Sequence, residues 1–272
     1  MLSKRIPGII PAWEGAEALE TTSIHSLRRP GIGLMPFRPF RAPHHSINTA
    51  GMLGGGRPVL PGEVSLAHQG VLFLDEIAEY SRSVLEGLRE PLEEGAVTIA
   101  RAGGPVRYPA NFQLIAAMNP CPCGYSGVQG STCECTQAEV VRYRARISGP
   151  LLDRIDMFVF MQPVDPEVVS FVASRTSDAI RQRAEQAWSL VKKEDQNLVD
   201  SGKSLEHAGR PPWFSAEAEE MLNRSINSLR LSMRGRNRMM KVSRTIAALN
   251  GDHLVLPRHL SKALQYRPRW VS

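Results

Sequence analysis

The run Val71-Leu72-Phe73-Leu74-Asp75-Glu76 decides the fold of this 272-residue chain. Four consecutive apolar residues with no polar alternation suit a strand buried on both faces, as in parallel sheets flanked by helices. Two acids follow at once, so they fall at the carboxyl end of a parallel strand, where open α/β sheets bind ligands. An Asp placed there can hold Mg²⁺ through its water shell, and the next Glu can orient or deprotonate an attacking water. A strand ending in an acidic turn is common without any chemistry, so the run needs company. Phe112 to Met118 supplies it, predicting a second buried strand that ends at Asn119-Pro120. Asn-Pro also initiates turns, but two strands delivering acid, acid and amide to one edge are hard to dismiss.

Outward from these strands the chain reads as helices and strands in alternation. Trp13 to Leu27 has helical spacing, and Arg29 to Gly62 is punctuated by Gly and Pro, with Gly-Gly-Gly at 54–56. Ser83 to Leu92 predicts a helix with Val84, Leu85, Leu88 and Leu92 on one stripe. Val97–Ala100 and Val106–Tyr108 predict a hairpin around Gly103-Gly104. A helix containing Arg142 to Arg146 comes next, and Ile155 to Met161 predicts a third strand. A long polar helix over about 166–193 leads to a flexible stretch near 195–212, and three helices start near Ser215, Ser232 and Pro257. The expected organisation is an α/β core over 1–164 with a cysteine-rich loop at 121–135, a connecting helix and linker over 165–212, and an all-helical lid over 213–272.

Composition narrows the function. Hydrophobic residues make up 42% and charged residues 22%, as in an ordinary globular protein. No apolar run is long enough for a membrane span, and the N-terminus lacks a secretory pattern, so a cytoplasmic protein is expected. The net charge of +6 gathers toward the end, where Arg234, Arg236, Arg238, Lys241 and Arg244 are closely spaced. Such a surface suits nucleic acid or nucleotide phosphates, or is simply a solvated helix face. The chain's 4 cysteines, Cys121, Cys123, Cys133 and Cys135, form two Cys-x-Cys pairs. Four thiolates from two such pairs could surround one structural Zn²⁺ tetrahedrally; free or redox-active thiols are the alternative.

Phe40-Arg41-Ala42-Pro43-His44-His45, Pro61-Gly62-Glu63-Val64-Ser65-Leu66-Ala67-His68 and Gly70-Val71-Leu72-Phe73-Leu74-Asp75-Glu76 carry a resemblance. Asn119-Pro120-Cys121-Pro122-Cys123-Gly124 and Arg146-Ile147-Ser148-Gly149-Pro150-Leu151-Leu152-Asp153-Arg154-Ile155-Asp156 extend it over nearly the whole chain. Together they resemble the magnesium-chelatase-like AAA+ ATPases of the YifB/ComM family. The resemblance implies a P-loop NTPase fold of the helix-2-insert type, with ATP and Mg²⁺ as cofactors. It implies Asp75 and Glu76 as the Walker B pair, Asn119 as sensor 1 and Arg234 as sensor 2. Arg154 would be the arginine finger offered to a neighbouring subunit, with Arg146 the less favoured candidate. It further implies a homo-oligomeric ring, typically a hexamer, and DNA as partner, with branch-migration helicase work during uptake of transforming DNA. The segment from Gly54 to Gly62 would be a pore-facing loop. Each of these arginines, met alone, would read as a surface or ion-pair residue.

One departure matters. The phosphate-binding pattern Gly-x-x-x-x-Gly-Lys-Ser/Thr does not occur in these residues. Ser201-Gly202-Lys203-Ser204 holds only its last part, in the polar linker, with Asn at 197 and no buried strand before it. Met1 to Pro11 resembles the family's helix just after that loop, so the sheet is expected to lack its first strand, between Phe112–Met118 and Ile155–Met161. The expectation is therefore an ATP-binding AAA+ module, truncated after its phosphate loop and impaired in hydrolysis on its own. A non-catalytic, zinc-braced basic fragment that binds DNA or the intact parent is the alternative. Partner work on a tetrapyrrole enzyme has only the ATPase resemblance behind it.

Overall fold

The computed structural model describes residues 3–101, 103–128, 130, 132–161, 176–200, 211–229 and 231–267, with 197–200 by backbone alone. The chain divides into two compact units, one of Met1–Pro7 with Ala12–Arg154, the other of Gly8–Pro11 with Ile155–Ser272.

In the first unit, 3-10 turns at Ser3–Gly8 precede α1 (Gly15–Ser26), whose Glu14 and Glu17 form a reciprocal cap. Three parallel strands make the central sheet: β1 (Phe40–Arg41), β4 (Val71–Leu74) and β7 (Gln113–Ala116), with β4 in the middle. All four β4 residues are buried. The register pairs Phe40 with Val71 on one side and Leu74 with Ala116 on the other. Phe40 and Phe73 stack at 6.1 Å between ring centroids. Between β1 and β4 lie α2 (Thr49–Leu53), the short antiparallel pair β2 (Gly54–Gly55) and β3 (Leu60–Pro61), and α3 (Glu63–Leu66). The helix expected over Ser83–Leu92 is two pieces, α4 (Arg82–Gly87) and α5 (Arg89–Glu94). They carry Val84, Leu85 and Leu88 into the core. β5 (Ala96–Ile99) and β6 (Val106–Pro109) form the expected hairpin. Tyr108 donates its hydroxyl to the Val59 carbonyl at 3.0 Å, which ties this hairpin to the β2–β3 turn.

Two strand expectations need correction. β7 is not buried: Gln113 and Ala116 are exposed, because among the described residues β4 is its only neighbour. Ile155–Met161 forms no strand. Its backbone is engaged inside the second unit instead, where Phe158 N–H donates to the Tyr266 carbonyl at 2.8 Å and Arg238 donates to the Ile155 carbonyl at 2.8 Å. An apolar run becomes a strand only where a ladder partner satisfies its amides.

After β7 come α6 (Gln137–Arg144) and α7 (Gly149–Leu152), capped by Thr136 and Ser148. The second unit holds α8 (Ser177–Asp200), α9 (Ala216–Leu229), α10 (Met233–Leu249) and α11 (Pro257–Gln265). The three helix starts expected near Ser215, Ser232 and Pro257 are found. The polar helix runs seven residues beyond Lys193, into the stretch read as flexible. Its expected start and the Gly-Lys-Ser decoy lie outside the described residues. Phe214, Leu222, Met239, Ile246, Val255 and Leu260 build the helical core. Arg244 pairs with Asp195 at 2.7 Å and sits 4.8 Å over the Trp213 ring. Among the described residues no helix is long and apolar enough to cross a membrane.

Candidate functional site

β4 delivers its two acids as the sequence requires. The strand is buried through Leu74, and the next two residues, Asp75 and Glu76, are exposed. Glu76 has φ +50, in the left-handed region. For a residue with a Cβ this is uncommon, and the surrounding hydrogen bonds fix it. Ile77 N–H donates to the Ala117 carbonyl at 2.9 Å, and Ala117 N–H donates to the Leu74 carbonyl at 2.9 Å. The chain thus turns sharply at Glu76 while β7 stays zipped to β4 as far as Ala117, bringing Asn119 to the same edge.

That edge borders a cleft of about 310 Å³ lined by Glu76, Glu79 and Asn119 on one side. Glu139, Arg142, Tyr143 and Arg146 line the other side, and Pro122 closes part of the rim. α6 carries most of the second wall. Thr136 and Glu139 form a capping box at its start, and Val140 and Tyr143 are buried beneath it. Arg146 lies 5.8 Å over the Tyr143 ring and donates to Glu79 at 2.9 Å and to the Ala78 carbonyl at 3.2 Å. Carboxylates and guanidiniums lining one cleft can bind a cation and an anion together, the needs of a metal–phosphate ligand.

A second set of contacts holds the β4 end from the β1 side. Tyr80, 4% exposed, donates its hydroxyl to the Pro43 carbonyl at 2.6 Å. Burial, and then the charge of Asp75, push that phenol up to about 12. His45 Nδ1 lies 3.9 Å from Glu76, and the His44 and His45 rings are 4.1 Å apart.

The arginines part company. Arg146, the less favoured in sequence, lines the cleft beside Glu76. Arg154 pairs with Glu93 and donates to the Pro150 carbonyl at 2.7 Å. Its side chain is only 10% exposed, and its Nε has no hydrogen-bond partner. Arg234 is exposed in the first turn of α10, in the other unit, where Ser232 caps the helix. Glu79, Glu139, Arg142 and Tyr143 were missed in the sequence. The Thr136-x-x-Glu139 capping box was the signal that could have placed α6 and its faces.

The four cysteines converge. Their sulfurs all lie within 4.8 Å of one another. Cys121 is 3.3 Å from Cys123 and 3.7 Å from Cys133, and Cys123 is 3.6 Å from Cys133. A tetrahedron with Zn–S bonds of about 2.3 Å has edges of about 3.8 Å, so the spacing fits a four-thiolate metal. Ser126 N–H donates to the Cys121 sulfur at 3.3 Å. The backbone at Tyr125, and then Cys121, hold the Cys123 thiol down to about 6, toward the thiolate that a metal needs.

Comparison with known proteins gives the family of the chain. Residues 1–169 match the family described as magnesium chelatase, subunit ChlI, and residues 174–267 match the C-terminal part of the same subunit. The chain is 38% identical to the competence protein ComM of Haemophilus influenzae, over 98% of this chain and 53% of that protein. It is 38% identical to the uncharacterized protein YifB of Escherichia coli, again over 98% and 53%. A more distant match, 23% identical over 75% of this chain, is the DNA replication licensing factor Mcm6 of Drosophila melanogaster. The chain spans about half the length of the first two relatives. The chain belongs to the magnesium chelatase subunit ChlI family.

Proposed function

We propose that this chain is the ATP-binding module of a ring-forming DNA-remodelling motor of the AAA+ type. One observation carries the reading: a fully buried central strand ends in Asp75 and Glu76, and Glu76 lines, with Asn119, a cleft that also holds arginines. In this reading Asp75 holds the Mg²⁺ of Mg²⁺-ATP through its water shell, Glu76 orients the attacking water and Asn119 fixes that water's second side. Arg234 meets phosphate as sensor 2. Its place supports this, because the first turn of α10 contains no acid and the helix dipole there already favours an anion. Arg154 serves a neighbouring subunit's γ-phosphate once it exchanges Glu93 for that phosphate, and Arg146 holds the cleft in cis. The name of Mcm6, a DNA replication licensing factor, supports DNA as the partner, and a homo-oligomeric ring, a hexamer in this family's manner, gives the trans arginine its target. The name of ComM, a competence protein, supports a role in transformation, and a cytoplasmic location belongs to the same reading. The Gly-x-x-x-x-Gly-Lys-Ser/Thr pattern is not among these 272 residues. Hydrolysis by this chain alone is therefore expected to be weak. The four cysteines hold a structural Zn²⁺, with no ligand position left for water.

The second reading, a basic fragment without nucleotide chemistry, is favoured by that missing pattern and by the closely spaced arginines of α10. Fluorescence anisotropy on a labelled forked duplex separates the two. The motor reading expects Mg²⁺ with a non-hydrolysable ATP analogue to tighten DNA binding several-fold, with Asp75→Ala removing the effect. DNA binding that ignores nucleotide would contradict it.

A further inference from the structure

The cysteine cluster joins the two walls of the cleft. Cys121 comes two residues after Asn119, which forms the first wall, and Pro122 itself lines the cleft. Cys135 directly precedes Thr136, the cap of α6, and α6 with the turn after it carries Arg142, Tyr143 and Arg146 of the second wall. Among the described residues the connection between β7 and α6 contains no helix or strand. Its order rests on side chains. Apart from the thiols, Arg144 Nε donates to the Pro120 carbonyl at 3.2 Å, and Arg146 reaches Glu79 and the Ala78 carbonyl across the same two walls. Thiol–thiol contacts are weak, whereas four thiolates on one divalent ion fix every partner in direction and distance. Structural metal binding also contributes directly to folding free energy in the segment that supplies the ligands.

We infer that a divalent metal of the zinc class, held by Cys121, Cys123, Cys133 and Cys135, is a clasp that sets the separation of Asn119 from the arginines of α6. This rests on the reading of the cleft as a nucleotide half-site and adds to it a regulator of that site's geometry. The metal makes no contact with nucleotide; it acts on Asn119 and Arg146 by position. α6 has its own anchors in buried Val140 and Tyr143 and in the Arg146–Glu79 pair. Loss of metal therefore loosens the walls against each other without unfolding β4 or the β5–β6 hairpin.

Hydrogen exchange by mass spectrometry on the whole chain, without nucleotide, tests this beside elemental analysis of protein purified under reducing conditions. The expected result is about one zinc per chain, lost in Cys133→Ser/Cys135→Ser. Exchange should rise about tenfold in peptides covering 117–123 and 136–146 and stay unchanged in β4, β5 and β6. Cys135→His, which keeps a four-ligand site, should restore both metal and protection. Wild-type protein stripped with a chelator should match the double serine variant, which guards against a variant that merely misfolds. Absence of bound metal would overturn the clasp, as would metal loss that leaves either wall's exchange unchanged or raises exchange throughout the unit. A fluorescent ATP analogue separates the two levels. A clasp confirmed by exchange in a chain that binds no analogue leaves the clasp standing and removes the nucleotide reading. Analogue binding unaffected by metal loss removes the clasp and leaves the nucleotide reading.

Discussion

β4 and the segment Ile155–Met161 are both largely apolar and meet opposite fates. Val71, Leu72 and Leu74 are wholly buried and Phe73 nearly so, between two parallel neighbours. Met157, Val159, Phe160 and Met161 are all exposed, and the amide of Phe158 is engaged by a helix end rather than by a ladder. Apolar composition made both look like strands. What separates them is supply of partners: β4 finds β1 and β7, whereas 155–161 finds the carbonyl of Tyr266.

The contrast can be broken by substitution. Leu72→Ala is expected to cost about 2–5 kcal/mol, the usual loss for emptying a buried leucine site. Val159→Ala should stay within about 0.5 kcal/mol, as for an exposed residue. Urea unfolding of both variants, with exchange in β4 as a local readout, measures the difference. Equal losses would mean that 155–161 is packed as a strand in solution.

Gly70→Ala sharpens the β4 side. A Cβ there would lie 2.1 Å from the Pro39 carbonyl oxygen, the same oxygen that accepts from Val71 N–H at 2.8 Å. The chain must move, and a loss of about 1–3 kcal/mol is expected, read in the same denaturation series. If the variant is as stable as the parent, β1 is not pinned to β4 as described.

Where the first unit ends, Glu93→Gln should cost about 1–2 kcal/mol, because it takes the charged partner from a largely covered Arg154 guanidinium. A thermal melt checks it, and an unchanged midpoint would mean that Arg154 is already released. The smallest effect belongs to Tyr80→Phe, about 1 kcal/mol near neutral pH for one hydrogen bond. The parent should also lose stability as pH rises between the ordinary tyrosine value of about 10 and the folded value of about 12. The unfolded phenol ionises first, so the protonated form's advantage disappears across that window. The phenylalanine variant should lack that decline, and the pH dependence of the urea midpoint reads it.

Much of this was legible in the residues, and the limits have physical reasons. β4, the hairpin, and the starts of α9, α10 and α11 followed from apolar period and caps, which are local signals. The position of Asn119 followed from the end of β7, although burial of that strand did not, because burial depends on neighbours. The cysteine cluster was legible as spacing, and only the fold could bring its two halves together. Arg146 and Arg154 were not separable by sequence: they differ in whether Glu79 or Glu93 receives them, and both partners are distant in the chain. The role of Tyr80 was hidden because its acceptor is a backbone carbonyl, which no side-chain pattern announces.

The central claim is that the β4–β7 edge is the metal-and-water half of a nucleotide site. Titration of the purified chain with a fluorescent ATP analogue in Mg²⁺, beside folded Asp75→Ala, tests it most directly. The account predicts saturable, Mg²⁺-dependent binding that Asp75→Ala abolishes. Folded protein that binds no analogue, or binds it equally well without Asp75, would contradict it.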